Sequence, residues 1–411
     1  MTRTQFKGLF KAILFFTSAA VSLAQNTGEA VTHGQKFSLR SSILNQDRTY
    51  WVNRPTSYND PRFSPQRYPV LFLFDAKSTF FPVCGVLNFM SGQDSVNYQV
   101  PEMIIVGIDN ENRLKDLTPN SSTKNPEGVE SKEFADRMLA GSGGGELFIQ
   151  FLEKELIPQI EANYRTLPYR VCIGHSLGGL TSSHLLVNHS GLFDAYLAID
   201  PSLWWDGASM IHKAAAMFKS YPTRKMQRYF MSVVDSQQAP SEMGFHLQSI
   251  HEFARVLADN SPANLKWKLQ VFPETDHSSI PLLSWYHGLR FLFEGYEPDL
   301  YAMMKDTGLI ERHFSGLEEK LGLKVPPPET VFEILTHYLT APDRFPDAKK
   351  ALVVVVMGLK YHPDSPYLNE SLGDICARNK EPEKAREAYE KALQLRPDNE
   401  PLKKKLSELG K

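Results

Sequence analysis

Apolar and polar positions change their period several times along this chain, and the changes outline a fold. "KFSLRSSIL" and "RTYWVNRP" alternate in character, the period-two pattern of antiparallel edge strands with one face in solvent. "YPVLFLFD" (Tyr68–Asp75) and "PEMIIVGID" (Pro101–Asp109) are nearly unbroken apolar runs, as expected of strands covered on both faces. "GELFIQFLEKELIPQIEANY" then returns Phe148, Phe151, Leu152, Leu156 and Ile160 at helical intervals. "YRVCIGHS" predicts the next strand and "LGGLTSSHLLVNH" the helix after it. The alternation continues through strand "FDAYLAIDPS", helix "SMIHKAAAMFKS", strand "QRYFMSVVDS", helix "EMGFHLQSIHEFARVLA", strand "LKWKLQVFPE" and helix "SIPLLSWYHGLRFLFEGY". Strands alternating with helices imply an α/β domain over residues 30–298, a mainly parallel sheet covered on both faces. In such sheets ligands bind beyond the carboxyl ends of the strands.

From about Tyr301 the pattern is helical throughout. Residues 299–328 read as a linker with a helix, and "VPPPETV" (Val325–Val331) is a proline-rich break. Beyond it, Leu372, Gly373, Ala385, Tyr389, Ala392 and Pro397 fall at the spacings of a tetratricopeptide repeat. One period back, about 34 residues, lie Ala351, Gly358 and Pro363, a degenerate copy. Residues 329–411 are therefore expected to form a small all-α helical repeat domain. With fewer than three repeats, it should pack on the main domain or on a protein partner.

The amino end differs from the rest. "MTRTQFKGLFKAILFFTSAAVSLAQN" has Arg3, Lys7 and Lys11, an apolar run from Ala12 to Val21, and small residues at Ser22 and Ala24. This is the pattern of a signal peptide over residues 1–24, with export to the periplasm or medium and no membrane span after cleavage. A formal net charge of −2 over 411 residues gives no reason to expect nucleic acid or an anionic membrane as partner. Cys84, Cys172 and Cys376 suit neither a disulfide framework nor a metal site, and no metal or cofactor is expected.

Candidate chemistry centres on Gly174-His175-Ser176-Leu177-Gly178-Gly179, set between a strand and a helix. That context makes Ser176 the nucleophile of a sharp strand-to-helix turn, with small residues letting strand and helix approach. Leu177 offers one backbone N–H to an oxyanion, and the loop after "LFLFD", at Ala76 or Lys77, offers the second. His277, on the loop after the last strand, is the expected general base, in the chain order serine, acid, histidine. His246, His251 and His287 fall on helices, and His175 reads as packing or cavity wall. For the acid, Asp235 at the end of "RYFMSVVD" is expected, with Glu242 as the alternative and Asp200 as a third choice. Asp276 is too near His277 in sequence to face it. Arg113 and Trp204, on loops after strands, are expected to contact substrate.

Several blocks match one family. "VGIDNENRLKDLTP", "GSGGGELFIQFLEKELIPQIEANYRT", "GHSLGGL", "LFDAYLAIDPSLWWD" and "FPETDHSSIPLLSWYHGLRFLF" resemble the putative esterase family, in its esterase D-like branch that includes siderophore esterases. The resemblance covers roughly residues 37 to 296 and implies an α/β-hydrolase fold acting on carboxylic esters without a cofactor. Its nucleophile carries over to Ser176, its histidine to His277, and its acid to Asp235. The chain departs from the family pattern at Asp200, where relatives read Ser, and in the acidic neighbour of "PETDHSS". The expected function is an exported serine esterase cleaving a soluble small-molecule ester, a siderophore trilactone or a carbohydrate-linked ester, through an acyl-enzyme. The alternatives are an idle hydrolase-fold scaffold whose repeats dock a partner, and an acyltransferase.

Overall fold

A computed structural model describes residues 32–92, 96–221, 225–235 and 244–409; the expected signal peptide and Glu242 lie outside the described residues. Among the described residues eight strands form one sheet: β1 (Gln35–Ser41), β2 (Gln46–Asn53), β3 (Tyr68–Leu73), β4 (Ile104–Ile108), β5 (Thr166–His175), β6 (Ala195–Ile199), β7 (Gln227–Val234) and β8 (Leu265–Phe272). Their order is β1-β2-β4-β3-β5-β6-β7-β8. β2 pairs antiparallel with both β1 and β4, and every other neighbouring pair is parallel. Every residue of β3, β4, β6 and β7 is buried, while the outer strands β1 and β8 carry exposed positions. This is the physical origin of the unbroken apolar runs in the sequence: a strand with helices on both faces has no wet side to mark with polar residues.

Helix Ala76–Ser91 follows β3 and was not apparent from periodicity, because Pro82 and Gly85 interrupt its pattern. Helices Leu177–Asn188, Gly244–Asn260 and Ile280–Leu292 follow β5, β7 and β8. Among the described residues no helix is long and apolar enough to cross a membrane.

The carboxy-terminal helices are Glu329–Thr340, Ala348–Tyr361, Pro366–Arg378, Pro382–Leu395 and Glu400–Glu408. Gly373 lets two of them approach closely: a Cβ there would lie 2.3 Å from the Tyr389 ring. The packing does not break where the composition does. Ile310, Phe314, Leu317, Val331, Phe332, Leu335, Val354 and Leu368 belong to the same continuous apolar core as the sheet. A second, smaller cluster joins the last three of these helices, through Cys376, Tyr389 and Leu402. Polar ties cross the same junction. Ser64 donates from its N–H and its hydroxyl to Glu329 Oε2 at 2.8 and 2.6 Å, and Tyr367 N–H donates to Arg62 O at 3.0 Å.

Burying one large apolar side chain is worth about 1.5–3 kcal/mol, so removing residues 323–411 strips many such contributions from the shared core. That deletion should lower the melting temperature by roughly 10 °C or more, or yield aggregated protein. Calorimetry and gel filtration of the two chains check this; an unchanged melting temperature would contradict the shared core.

Candidate active site

Ser176 ends β5 in a conformation that few residues adopt, φ 58° and ψ −114°. Its N–H donates to Ile199 O at 2.9 Å, and its carbonyl accepts from Leu180 N–H at 2.9 Å, so strand and helix are joined without a connecting loop. Gly174 makes this turn possible, since a Cβ there would sit 2.1 Å from Gly178 O. Backbone strain of this kind costs about 1–3 kcal/mol and persists where surrounding structure holds it. Asp75 after β3 (φ 59°) and Asp200 after β6 (φ 40°) share the unusual backbone sign. β3, β5 and β6 are neighbours in parallel register, so all three residues come together at the carboxyl edge of the sheet.

The histidine loop arrives from β8. Asp276 shapes it by accepting from Ser278 N–H at 2.9 Å and Ser279 N–H at 2.8 Å. His277 then points Nδ1 at Asp200 Oδ2, 2.5 Å away, and keeps Nε2 for other work. Asp200 is fully buried, and His246 Nε2 from helix Gly244–Asn260 lies 3.2 Å from the same oxygen. Burial pushes this carboxyl's pKa up, but contacts with His246 and His277 outweigh it and hold the group well below the usual carboxylate range. Asp200 is therefore an anion, fit to fix the imidazole tautomer and to stabilise the imidazolium.

The carboxylate that the structure sets against His277 is Asp200, in place of the expected Asp235. Asp235 is where the sequence placed it, at the end of β7, but β7 lies one strand beyond β6 from β5. Neighbouring strands are about 4.8 Å apart, so the β6 carboxylate is the nearer one to a histidine that must serve Ser176. Periodicity could not reveal this. The only signal was the aspartate itself, at a position where the resembling family carries serine. His246 falls within a helical pattern upstream of the last strand, and nothing local in the sequence marks it otherwise.

Ser176 and His277 open onto one cavity of about 390 Å³, with His175, Lys77, Asp109 and Arg113 in its walls. Ser176 Oγ lies 3.2 Å from Ser202 Oγ, a buried partner that the sequence did not suggest. Arg113 reaches the cavity while donating from Nε to both oxygens of Asp75, at 2.9 and 3.0 Å, and from Nη2 to His175 O at 3.1 Å. Burial raises the Asp75 carboxyl even against that guanidinium. A buried network braces this wall. Arg48 of β2 grips Asp116 at 2.5 and 3.2 Å, Asn110 Nδ2 donates to Asp116 at 3.2 Å, and Asp75 N–H donates to Asn110 Oδ1 at 3.1 Å. Lys77 pairs with Asp109 at 3.2 Å.

Leu177 and Ala76 each begin the helix that follows a site strand, with Ala76 fully buried. Trp204 is partly exposed and lies outside the cavity walls, packed 5.8 Å from Trp205 by ring centroids. Trp205 is core, and its Nε1 donates to Asn120 O at 3.0 Å. His175 stacks 4.6 Å from His277 by ring centroids; burial, then repulsion from His277, pulls its pKa down to about 4.

A family model described as "Putative esterase" matches residues 41–278, more than half of the chain. A tetratricopeptide repeat model matches residues 366–399. The ferri-bacillibactin esterase BesA of Bacillus subtilis (strain 168) is 31% identical over 183 residues, 42% of this chain and 60% of that protein. The siderophore enterobactin esterase of Emericella nidulans is 28% identical over 175 residues, 36% of this chain and 56% of that protein. The chain thus spans less than two thirds of the length of these curated relatives. Among solved structures, an IroE-like serine hydrolase from Shewanella oneidensis matches with a TM-score of 0.70 at 29% identity, covering 80% of this chain and 99% of that one.

Two outcomes follow from the geometry. Asp200→Asn should cut turnover of p-nitrophenyl butyrate by roughly 10²–10⁴-fold, because the tautomer and the counter-charge are lost together. Asp235→Asn should change it less than about threefold, and the reverse ranking would return the acid to β7. His175 tests the pH dependence of stability. Its unfolded form binds a proton near pH 6.5 and its folded form only near pH 4, so it destabilises the fold increasingly as pH falls through that window. His175→Gln should remove up to roughly 3 kcal/mol of the stability lost between pH 6.5 and 4, measured by urea unfolding. An unchanged pH slope would contradict a neutral, buried His175.

Proposed function

The chain belongs to the putative esterase family, and from that premise we propose that it is a serine esterase that hydrolyses siderophore esters. The observation that carries the reading is a strained Ser176 sharing a cavity with His277, whose other nitrogen is held by the buried Asp200. In the reactive complex Ser176 Oγ turns from Ser202 to His277 Nε2 and gives up its proton as it attacks the ester carbonyl. The oxyanion rests on the backbone N–H groups of Leu177 and Ala76, at the heads of their helices. The imidazolium returns the proton to the leaving alcohol, and water, activated by the same nitrogen, releases the acyl group. Asp200 stays ionised throughout.

The substrate class rests on the relatives named for bacillibactin and enterobactin, and on the cavity itself. Lys77 and Arg113 stand in its walls beside their partners Asp109 and Asp75, so the lining is polar and charge-balanced, a setting that suits an acyl group rich in hydrogen-bonding oxygens and N–H groups. A siderophore trilactone fits that chemistry better than a plain alkyl ester. Residues 1–24 support export to the periplasm or medium, and the repeat at residues 366–399 supports docking to a protein partner.

Chromatography of an iron-free trilactone siderophore incubated with the protein tests the reading. Wild type should release the linear hydrolysis products, and Ser176→Ala should reduce the rate by about 10⁴-fold or more. Equal rates would remove the assignment of Ser176. No turnover of any ester by wild type would favour an idle scaffold, and transfer to an added alcohol in preference to water would favour an acyltransferase.

A further inference from the structure

A second cluster of metal-competent side chains stands apart from the cavity. Helix Leu177–Asn188 carries Ser176 at its head and His184 one turn before its end, with His189 as the residue that ends it. His189 leaves the helix at φ −134° and ψ 41°, and its ring folds back to 5.6 Å from that of His184. Glu146, at the start of helix Gly145–Phe151, reaches across to both. Its Oε1 is 2.6 Å from His184 Nε2 and its Oε2 is 3.1 Å from His189 Nε2. The three ligand atoms lie within 4.8 Å of one another. Eight residues of helix separate His184 from Ser176, roughly 12 Å along the axis, so the cluster has no part in the ester chemistry.

We propose that Glu146, His184 and His189 form a binding site for a divalent transition-metal ion of the zinc type, which staples the end of the nucleophile helix to helix Gly145–Phe151. Two imidazoles and one carboxylate are a donor set that zinc and its transition-metal neighbours take, whereas magnesium and calcium demand oxygen ligands. The charge balance is favourable, because one carboxylate and two neutral imidazoles meet a dication at the helix C-terminus, where the backbone dipole favours positive charge. The support is also in place. Asn188 Nδ2 donates to His184 Nδ1 at 3.0 Å, which leaves the proton on Nε2 for Glu146. On metal binding the Asn188 amide turns over, its oxygen accepts from Nδ1–H, and Nε2 presents its lone pair to the ion. His184 is about nine-tenths buried and therefore fixed in orientation, while His189 is partly exposed and borders a surface cleft of about 460 Å³. Water from that cleft supplies the fourth ligand.

Calorimetric titration of the full-length, chelator-treated protein with zinc chloride tests the proposal. His277→Ala is used as the background, so that the Asp200, His246 and His277 group cannot account for the binding. One ion per chain is expected, with a rise in melting temperature that grows with zinc concentration. Adding His189→Ala should weaken binding by about tenfold or more, and Glu146→Gln, which preserves shape, should do the same. Circular dichroism checks that both variants fold. Absence of saturable binding in the His277→Ala protein would overturn the site, and so would affinity unchanged in the two folded variants.

Discussion

Asp200 holds a carboxylate with no exposed surface, and a buried anion must be solvated by protein groups or lose its charge. Two histidines do this from separate elements, His277 from the loop after β8 and His246 from the helix after β7. The need to satisfy one charge therefore fixes where two distant parts of the chain must end. It also fixes the imidazole: with Nδ1 committed to the carboxylate, Nε2 is the nitrogen available to a nucleophile. Backbone strain serves the same convergence. Asp75, Ser176 and Asp200 leave three adjacent strands with positive φ, which re-aims each side chain beyond the sheet edge instead of onto a packed face.

The opposite wall is held by a different kind of force. Arg48 on β2 and Asp116 form a forked ion pair with almost no exposure, and Asn110 relays that anchor to the backbone of Asp75. Breaking such a buried pair by removing one partner costs about 3–5 kcal/mol, because the other charge is stranded. The antiparallel strand near the sheet edge is thus more than a cover for β4. It fixes the wall from which Arg113 reaches the cavity, so that guanidinium is held before substrate arrives and loses little freedom on binding.

The helical extension is joined to the catalytic layer in a way that composition did not foretell. Proline-rich "VPPPETV" looks like a boundary, yet Val331, Phe332 and Leu335 enter the core that also contains the sheet. Short repeats cannot bury their apolar faces alone, and here the first helices use the hydrolase layer as their missing neighbour. The last two helices share a separate small core with Cys376 of helix Pro366–Arg378, around Tyr389 and Leu402.

What the sequence determined by itself was whatever local chemistry encodes. Continuous apolar runs marked the buried strands, the glycines around Ser176 marked the turn, and a late histidine after the final strand marked the imidazole that shares a cavity with Ser176. Gly174 is legible because its need is local: its Cβ would strike Gly178, four residues on. The carboxylate that meets His277 was not legible, since Asp200 and Asp235 both follow apolar strands and only the order of β5, β6 and β7 decides which one His277 can reach. His246 beside Asp200, Ser202 beside Ser176, and Glu146 between His184 and His189 belong to the same class. Each pairs groups separated along the chain by 26 residues or more, at distances set by how the sheet stacks its strands, and no periodicity carries that information.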